Sequence, residues 1–306
     1  MKMLKFIYLT SSSYSGSTLL AFMMGCHPRI STVSELAGII PGEDADRYLC
    51  SCGEKIKICN FWGSVSTRMQ KAYEDFSYDN FKTRYVPISD NLIDRLQFSN
   101  LRSNMLSDIR DYIYQRIPTY NQYAANITKR NVDLANIILD LTKKDIFFDA
   151  SKNPKRIKFL AKSLRCEFKV IHLVKDGRGV FDSVKRYRPN ISDSDAIHSW
   201  KKQNRFIERS LKYVEKQNRY LLLYRDLATN PEREMTKLFD FIGVQYTSKC
   251  MDFKNFDHHI IGNTKMRLGS TNEIYYDEKW KTNLSTDQLK LFERLAGKLN
   301  RKYGYH

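Results

Sequence analysis

Residues 4–28 read LKFIYLTSSSYSGSTLLAFMMGCHP, and the parsing of this stretch decides the fold. The apolar run Phe6, Ile7, Tyr8, Leu9 has the length and composition of a buried strand. A loop of small residues follows (Ser11, Ser12, Ser13, Tyr14, Ser15, Gly16, Ser17, Thr18), then a helical run (Leu19, Leu20, Phe22, Met23, Met24) that ends near Gly25 and Pro28. Strand, small-residue loop and helix start together make an anion site. The first N–H groups of a helix have no intrahelical partner, and the helix dipole favours negative charge there. Small side chains let the backbone approach the ligand, and Ser15, Ser17 and Thr18 add hydroxyl donors. The loop is not that of the nucleoside triphosphatases, which needs G-x-x-x-x-G-K-[ST]; here Ser17 follows Gly16 and no lysine is present.

Outward from this stretch, the chain alternates strands and helices. ISTVSELAG (30–38) is extended and carries Glu35 at its end, and residues 41–62 read as a cysteine-bearing loop followed by a short helix over 63–73. From Leu92 to Lys143 the pattern is helical, with Leu101, Met105, Ile109, Tyr112 and Ile113 on one face and an interruption at Pro118. These helices are expected to cap the sheet and shape an acceptor pocket, or equally to serve as scaffold alone. DIFFDASKNP (145–154) returns to a strand and a turn bearing Ser151 and Lys152, with a basic helix over 155–164. FKVIHLVKDGRGVFDSVKRY (168–187) is strand, loop and helix, and its continuous apolar run suits a central parallel strand. Helix is expected over 193–216, a further strand, loop and helix over 219–244 with Pro231 in the first turn, and a final helix capped by Ser285. The expectation is one domain over 1–306: a three-layer α/β/α fold with a central, mostly parallel sheet and a helical insertion at about 92–143. In such sheets the ligand lies beyond the carboxyl ends of the strands, where Ser15–Thr18, Ser151–Lys152, Lys175–Arg178 and Tyr224–Asp226 fall.

The chain of 306 residues has no apolar run near the ~20 residues of a membrane span. Lys2 and Lys5 lead straight into the first strand, with no cleavage site for a secretory signal, so a soluble cytoplasmic protein is expected. The formal net charge of +17 attracts anionic ligands. The lysines and arginines are dispersed, without a basic block or a reader motif, which argues against nucleic acid and for a phosphorylated nucleotide or an acidic acceptor. Of six cysteines, Cys50, Cys52 and Cys59 cluster as C-x-C-x6-C, which is not a usual zinc spacing. Reduced, partly buried thiols are the favoured reading; a disulfide, or a structural metal with Cys26 or His27 as fourth ligand, is the alternative.

Four stretches, in order, resemble the sulfotransferases that use 3′-phosphoadenosine 5′-phosphosulfate (PAPS) and release 3′-phosphoadenosine 5′-phosphate (PAP). SYSGSTLL (13–20) resembles the family's 5′-phosphosulfate loop. HLVKDGRGVFDSV (172–184) resembles its 3′-phosphate motif, with Lys175 at the arginine position and Ser183 at the serine position eight residues on. LLLYRDLATNPEREMTKLFDFIGV (221–244) and HIIGNTKMR (259–267), the latter followed by Asp277 and Trp280, resemble the Y-E-D-L…P…L-x-x-F-L-G segment and the segment that closes on the nucleotide. The cysteine cluster is also similar to that of some bacterial members.

The resemblance implies a P-loop-like sulfotransferase fold. It assigns donor binding to Ser13, Tyr14, Ser15, Gly16, Ser17, Thr18, Lys175, Ser183, Tyr224 and Arg267, with Arg178 and Arg186 as helpers. Glu35, nineteen residues after Gly16 as in tyrosylprotein sulfotransferases, is the implied base, with His258 and His259 as the other candidates. Family members carry lysine or arginine where this chain has Tyr14. Lys152 resembles a lysine that some members place on the leaving oxygen, and it is assigned that role. The mechanism requires no metal. The expected acceptor is a hydroxyl, less favourably an amine, of a glycan, tyrosyl peptide or small metabolite. The alternatives are a kinase-like phosphotransferase, which would want a lysine in the loop, and a non-catalytic nucleotide or polyanion module.

Overall fold

The computed structural model describes residues 4–39, 43–87, 89–97, 99, 101, 104–262, 264–269 and 272–306. In chain order the elements are β1 (Lys5–Ser11), α1 (Ser17–Gly25), β2 (Ile30–Ser34), α2 (Asn60–Ala72), α3 (Leu92–Gln97), α4 (Asn104–Tyr114), α5 (Pro118–Thr142), β3 (Ile146–Lys152), α6 (Pro154–Ser163), β4 (Glu167–Val174), α7 (Gly177–Tyr187), α8 (Asp193–Ser210), β5 (Arg219–Leu223), α9 (Tyr224–Thr229) and α10 (Pro231–Ile242). Short helices between Ser248 and Lys302 complete the chain. The five strands form one parallel sheet in the order β2-β3-β1-β4-β5.

Alternation along β1 sorts the core into two layers. Phe6 and Tyr8 point to one face with Phe147 and Val170, where Trp62 and Val65 of α2, Leu134 and Ile138 of α5, and Ile157 and Leu160 of α6 cover them. Ile7 and Leu9 point to the other, with Phe148 and Ile171, under Leu20 and Met23 of α1 and Leu238 and Phe239 of α10. A third cluster joins Val180 of α7, Trp200 of α8 and Phe292 and Leu299 near the C-terminus. Both faces of the sheet are therefore buried, as parallel strands require.

Helix starts follow local chemistry. Asn153 caps α6 by accepting the Lys155 N–H, and Asp176 caps α7 by accepting that of Arg178. Ser285 caps the helix Thr286–Phe292 as expected, and Gln288 returns a bond to the Ser285 N–H, completing a reciprocal cap. Gly243 ends α10 with φ 86°.

The expected break at Pro118 is present: α4 ends at Tyr114, and Pro118 occupies the first turn of the 25-residue α5, where its missing N–H has no intrahelical role. Three expectations are corrected. Helix α2 begins at Asn60, inside the expected loop, whose residues 41 and 42 lie outside the described set. Helix α8 ends at Ser210 rather than 216, and its continuation is short 3-10 turns. The apolar stripe of α4 is not buried: Met105, Ile109, Tyr112 and Ile113 are all exposed.

His172 on β4 is fully enclosed, with Asn204 Oδ1 3.2 Å from its Nε2 and the Tyr303 ring edge-on. Burial pushes its pKa down to about 4, against the pull of Asn204. Between that value and the unfolded value near 6.5 the unfolded chain holds the extra proton, so stability falls as pH falls through this window. The full depression corresponds to about 3 kcal/mol. Urea midpoints at pH 7 and pH 4.5 should show less acid destabilisation in His172→Gln than in the parent. Equal losses in the two proteins would remove the assignment.

Candidate active site

The topological switch lies between β1 and β4: the chain leaves β1 towards β2 and β3 on one side, and β4 towards β5 on the other. Crevices at such points collect ligands beyond the strand ends. The loop between β1 and α1 occupies this crevice. Gly16 caps α1 with φ 87° and ψ 15°, and no side chain caps the helix start, which leaves its first N–H groups facing the loop. Ser12 and Ser15 share a 2.7 Å hydrogen bond between hydroxyls, and Ser17 and Thr18 are buried at the first turn. Ser13 donates its N–H to Gln203 Oε1 at 3.2 Å.

Gly16 is required by contact as well as by backbone. A Cβ there would lie 2.3 Å from the ring of Tyr224, the first residue of α9. The same ring has the Lys175 ammonium 5.3 Å from its centroid. Tyr224 thus packs against both the loop after β1 and the cation after β4, and its hydroxyl donates to the Tyr275 carbonyl at 3.4 Å.

Lys175 is buried, and among the described residues no carboxylate lies within salt-bridge distance of it. Burial pushes its pKa down; Asp277 opposes that, and Arg186 adds to it. On α7, Ser183 donates its hydroxyl to the Gly179 carbonyl at 2.8 Å and lies 3.4 Å from Arg186, which is held by Asp182 at 3.0 Å and Asp277 at 3.6 Å. The Lys175 side chain runs past Gly179, whose carbonyl accepts Ser183, and Arg186 follows one turn on. An ammonium desolvated without a counterion is costly, and a phosphate would relieve that cost.

Glu35 and Lys152 end neighbouring strands, β2 and β3, and Lys152 Nζ donates to Glu35 Oε1. Both chain turns are tight: Ser34 and Lys152 each have φ 65°. The turn after β2 is fixed from below. Asp149 Oδ1 accepts the N–H groups of Leu36 at 3.3 Å and Ser151 at 2.9 Å, and the Ser151 hydroxyl accepts that of Ala37 at 3.0 Å. Arg156, fully buried, holds Asp149 Oδ2 at 2.8 Å, Asn131 Oδ1 at 2.7 Å and the Thr83 carbonyl at 2.9 Å. Sequence reading missed this support, because its partners come from β3, α5 and α6. Beside the Glu35 turn opens a hollow of about 610 Å³, lined by Ala37, Gly38, Arg84, Tyr123, Asn126 and Arg130.

The remaining expected residues have partners of their own. Tyr14, within the loop after β1 and in the left-handed region with φ 61°, stacks on Tyr187 at 5.4 Å and 6°. Arg267 is buried against Tyr48 and the carbonyl of Gly262, a residue that lies against Glu35. Arg178 pairs with Asp176 at 2.7 Å and lies over Trp280. His258 is buried with Nε2 2.6 Å from the Phe253 carbonyl, and burial pushes its pKa down to about 4. His259 stacks on Phe61 and faces Cys50 and Cys59. Neither Cys26 nor His27 joins the cysteine trio: Cys26 lies 3.3 Å from the Phe22 carbonyl, and His27 Nε2 is 3.0 Å from that of Gln245.

The structure is similar to the sulfotransferase domain from the Synechococcus PCC 7002 olefin synthase, with TM-score 0.53 and 17% identity over 97% of this chain and 96% of that one. It is similar to the sulfotransferase domain from the curacin biosynthetic pathway at TM-score 0.53 and 17% identity, over 98% of each chain. For sulfotransferase STF9 from Mycobacterium avium the TM-score is 0.51 at 8% identity, over 100% and 78%. At these identities the likeness is one of fold. No curated protein matches the chain. The model of the Sulfotransferase family matches residues 7–248, from within β1 to beyond α10. With that match over most of its length, and with the bare helix start and the buried cation at adjacent strand ends, this chain belongs to the sulfotransferase family.

Proposed function

We propose that the protein transfers a sulfuryl group from PAPS to a hydroxyl of an acceptor seated in the hollow beside Glu35. The observation that carries this reading is Tyr224, whose ring touches both the loop after β1 and the Lys175 ammonium after β4. Two anion sites joined by one aromatic ring suit a nucleotide with phosphate at both ends. The loop Ser13–Thr18 and the start of α1 would hold the 5′-phosphosulfate, and Lys175, Ser183 and Arg186 the 3′-phosphate.

In the transfer, the acceptor oxygen forms a bond to sulfur while the bond from sulfur to the bridging phosphate oxygen breaks in line. Glu35 takes the acceptor proton, and Lys152 donates to the bridging oxygen, which leaves on PAP with the negative charge. The pair starts in contact, so both groups are already oriented. Arg84 and Arg130 in the hollow favour an acceptor with acidic character, whether a sulfatable glycan, a tyrosyl peptide or a small metabolite.

Calorimetry with PAP tests the donor reading. PAP should bind, and AMP, which lacks the 3′-phosphate, should bind about 10–100-fold more weakly. Lys175→Ala should lose most of that difference, because one charge-assisted contact accounts for it. Absence of PAP binding would overturn the proposal. ATP bound as tightly as PAP, with labelled phosphate moved to an acceptor, would replace it with the kinase-like reading. PAP binding without labelled sulfate reaching any member of a broad hydroxyl panel would leave a non-catalytic nucleotide module.

A further inference from the structure

The cysteines that the sequence leaves as a loop cluster acquire a fourth partner in the fold, and it comes from some two hundred residues away. His259 Nδ1 lies 3.7 Å from Cys50 Sγ and 3.4 Å from Cys59 Sγ, and Cys52 Sγ lies 3.7 Å from Cys59 Sγ. All four donor atoms fall within 4.8 Å of one another. A tetrahedral ion with metal–sulfur bonds of about 2.3 Å has edges of roughly 3.8 Å, so the observed separations are those of ligands around a common centre. Three sulfurs and one imidazole nitrogen are the donor set of structural zinc. We propose that Cys50, Cys52, Cys59 and His259 bind one zinc ion, which ties the 50–59 loop to the segment that walls the active site.

The surroundings are built for this. Cys50 to Gly53 is a tight turn: the Gly53 N–H donates to the Cys50 carbonyl at 3.0 Å, with Gly53 at φ 89°. That turn brings the sulfurs two positions apart onto one centre. Cys59 is the N-cap of α2, where the helix dipole supports a thiolate. His259 turns Nδ1 to the sulfurs and Nε2 towards Asp257 at 3.5 Å, and Phe61 fixes its ring by stacking at 4.4 Å. A carboxylate behind a ligating imidazole is the usual outer partner of a metal-bound histidine. Cys50 and Cys59 are buried and Cys52 is exposed; four protein ligands leave no open position on the ion, so the centre would be structural rather than catalytic. On binding, the three thiols release their protons to solvent and the imidazole binds neutral.

The consequence reaches the active site by backbone. The Ser51 hydroxyl donates to the His258 carbonyl at 2.5 Å and accepts the Ile260 N–H at 2.8 Å, and the Ile261 N–H donates to the Val33 carbonyl at 2.9 Å. A Cβ on Gly262 would lie 3.1 Å from Glu35 Oε1. Zinc at the cluster would therefore hold the strap that lies against Glu35. The inference stands on the cluster alone and does not depend on the donor or acceptor proposed above.

Protein purified under reducing conditions without added chelator should carry about one zinc per chain through gel filtration, by elemental analysis. Cobalt exchange should give thiolate charge-transfer and tetrahedral d–d absorption. Cys52→Ser and His259→Ala should each cut retained zinc by more than half. Should either variant fail to fold, the parent protein decides: zinc should protect three of its six thiols from alkylation. A reduced parent protein that retains no zinc, gives no cobalt spectrum and shows no thiol protection overturns the proposal. So does a Cys52–Cys59 disulfide whose reduction restores no metal uptake.

Discussion

Glu35→Gln is expected to lower kcat for sulfuryl transfer by about 10²–10⁴-fold while leaving PAP affinity within about twofold. The amide keeps the shape and the hydrogen bond with Lys152 but cannot take a proton from the acceptor. The proposed donor sites lie at the ends of β1 and β4, whereas Glu35 follows β2, so donor binding should not change. Lys152→Ala should lose about 10²–10³-fold in kcat, because the leaving oxygen loses its cation. The double variant should be little worse than the poorer single one, since the two groups serve one step. Stability should move by under about 1 kcal/mol in either case, because the pair is partly exposed. Single-turnover rates at saturating donor make the measurement. A Glu35→Gln enzyme with parental kcat would remove the base assignment. A variant that lost PAP binding instead would show that Glu35 supports the nucleotide and not the chemistry.

Arg156→Leu should cost about 3–5 kcal/mol, a large share of the 5–15 kcal/mol available to a folded domain. The side chains of Arg156 and Asp149 are only 2% and 0% exposed. Removing the guanidinium strands the Asp149 carboxylate in the core and leaves the Asn131 side-chain oxygen and the Thr83 carbonyl without that donor. Replacing both partners, as Asp149→Leu with Arg156→Leu, should cost less than the Arg156 single change, since no lone charge stays buried. That double variant should still be slow. Asp149 holds the N–H groups of Leu36 and Ser151, so its loss loosens the turn that presents Glu35. Urea unfolding with kcat measured on the same samples separates the two effects. An Arg156→Leu protein within 1 kcal/mol of the parent would show that Asp149 finds other partners.

What the sequence disclosed and what it hid divide by range. The loop at Ser13–Thr18 was readable because strand, loop and helix are contiguous, as was the second strand-to-helix unit, with Lys175 just after β4 and Ser183 within α7. Glu35 and Lys152 could be named singly, from resemblance, but their contact depends on β2 and β3 being neighbours. The Asp149–Arg156 network and the meeting of His259 with the cysteines left no periodic signal, because each joins segments distant in sequence. The contact of Arg267 with Tyr48 was hidden for the same reason: it depends on where the loop bearing Tyr48 packs. The stripe on α4 shows the converse. Periodicity reported an amphipathic helix correctly, but not whether anything covers the stripe.

The place of β1 in the middle of the sheet carries a consequence for biogenesis. It is made before the other four strands of its sheet, yet Phe6 must wait for Phe147 and Phe168 to be made before either side of it can zip. Until then a greasy, unpaired edge stands open, the condition in which nascent chains stick to one another or call on chaperones. Assembly dominated by such distant pairings is slow. The loop attached directly to β1 therefore gains its flanking support only after β3 and β4 have both been made.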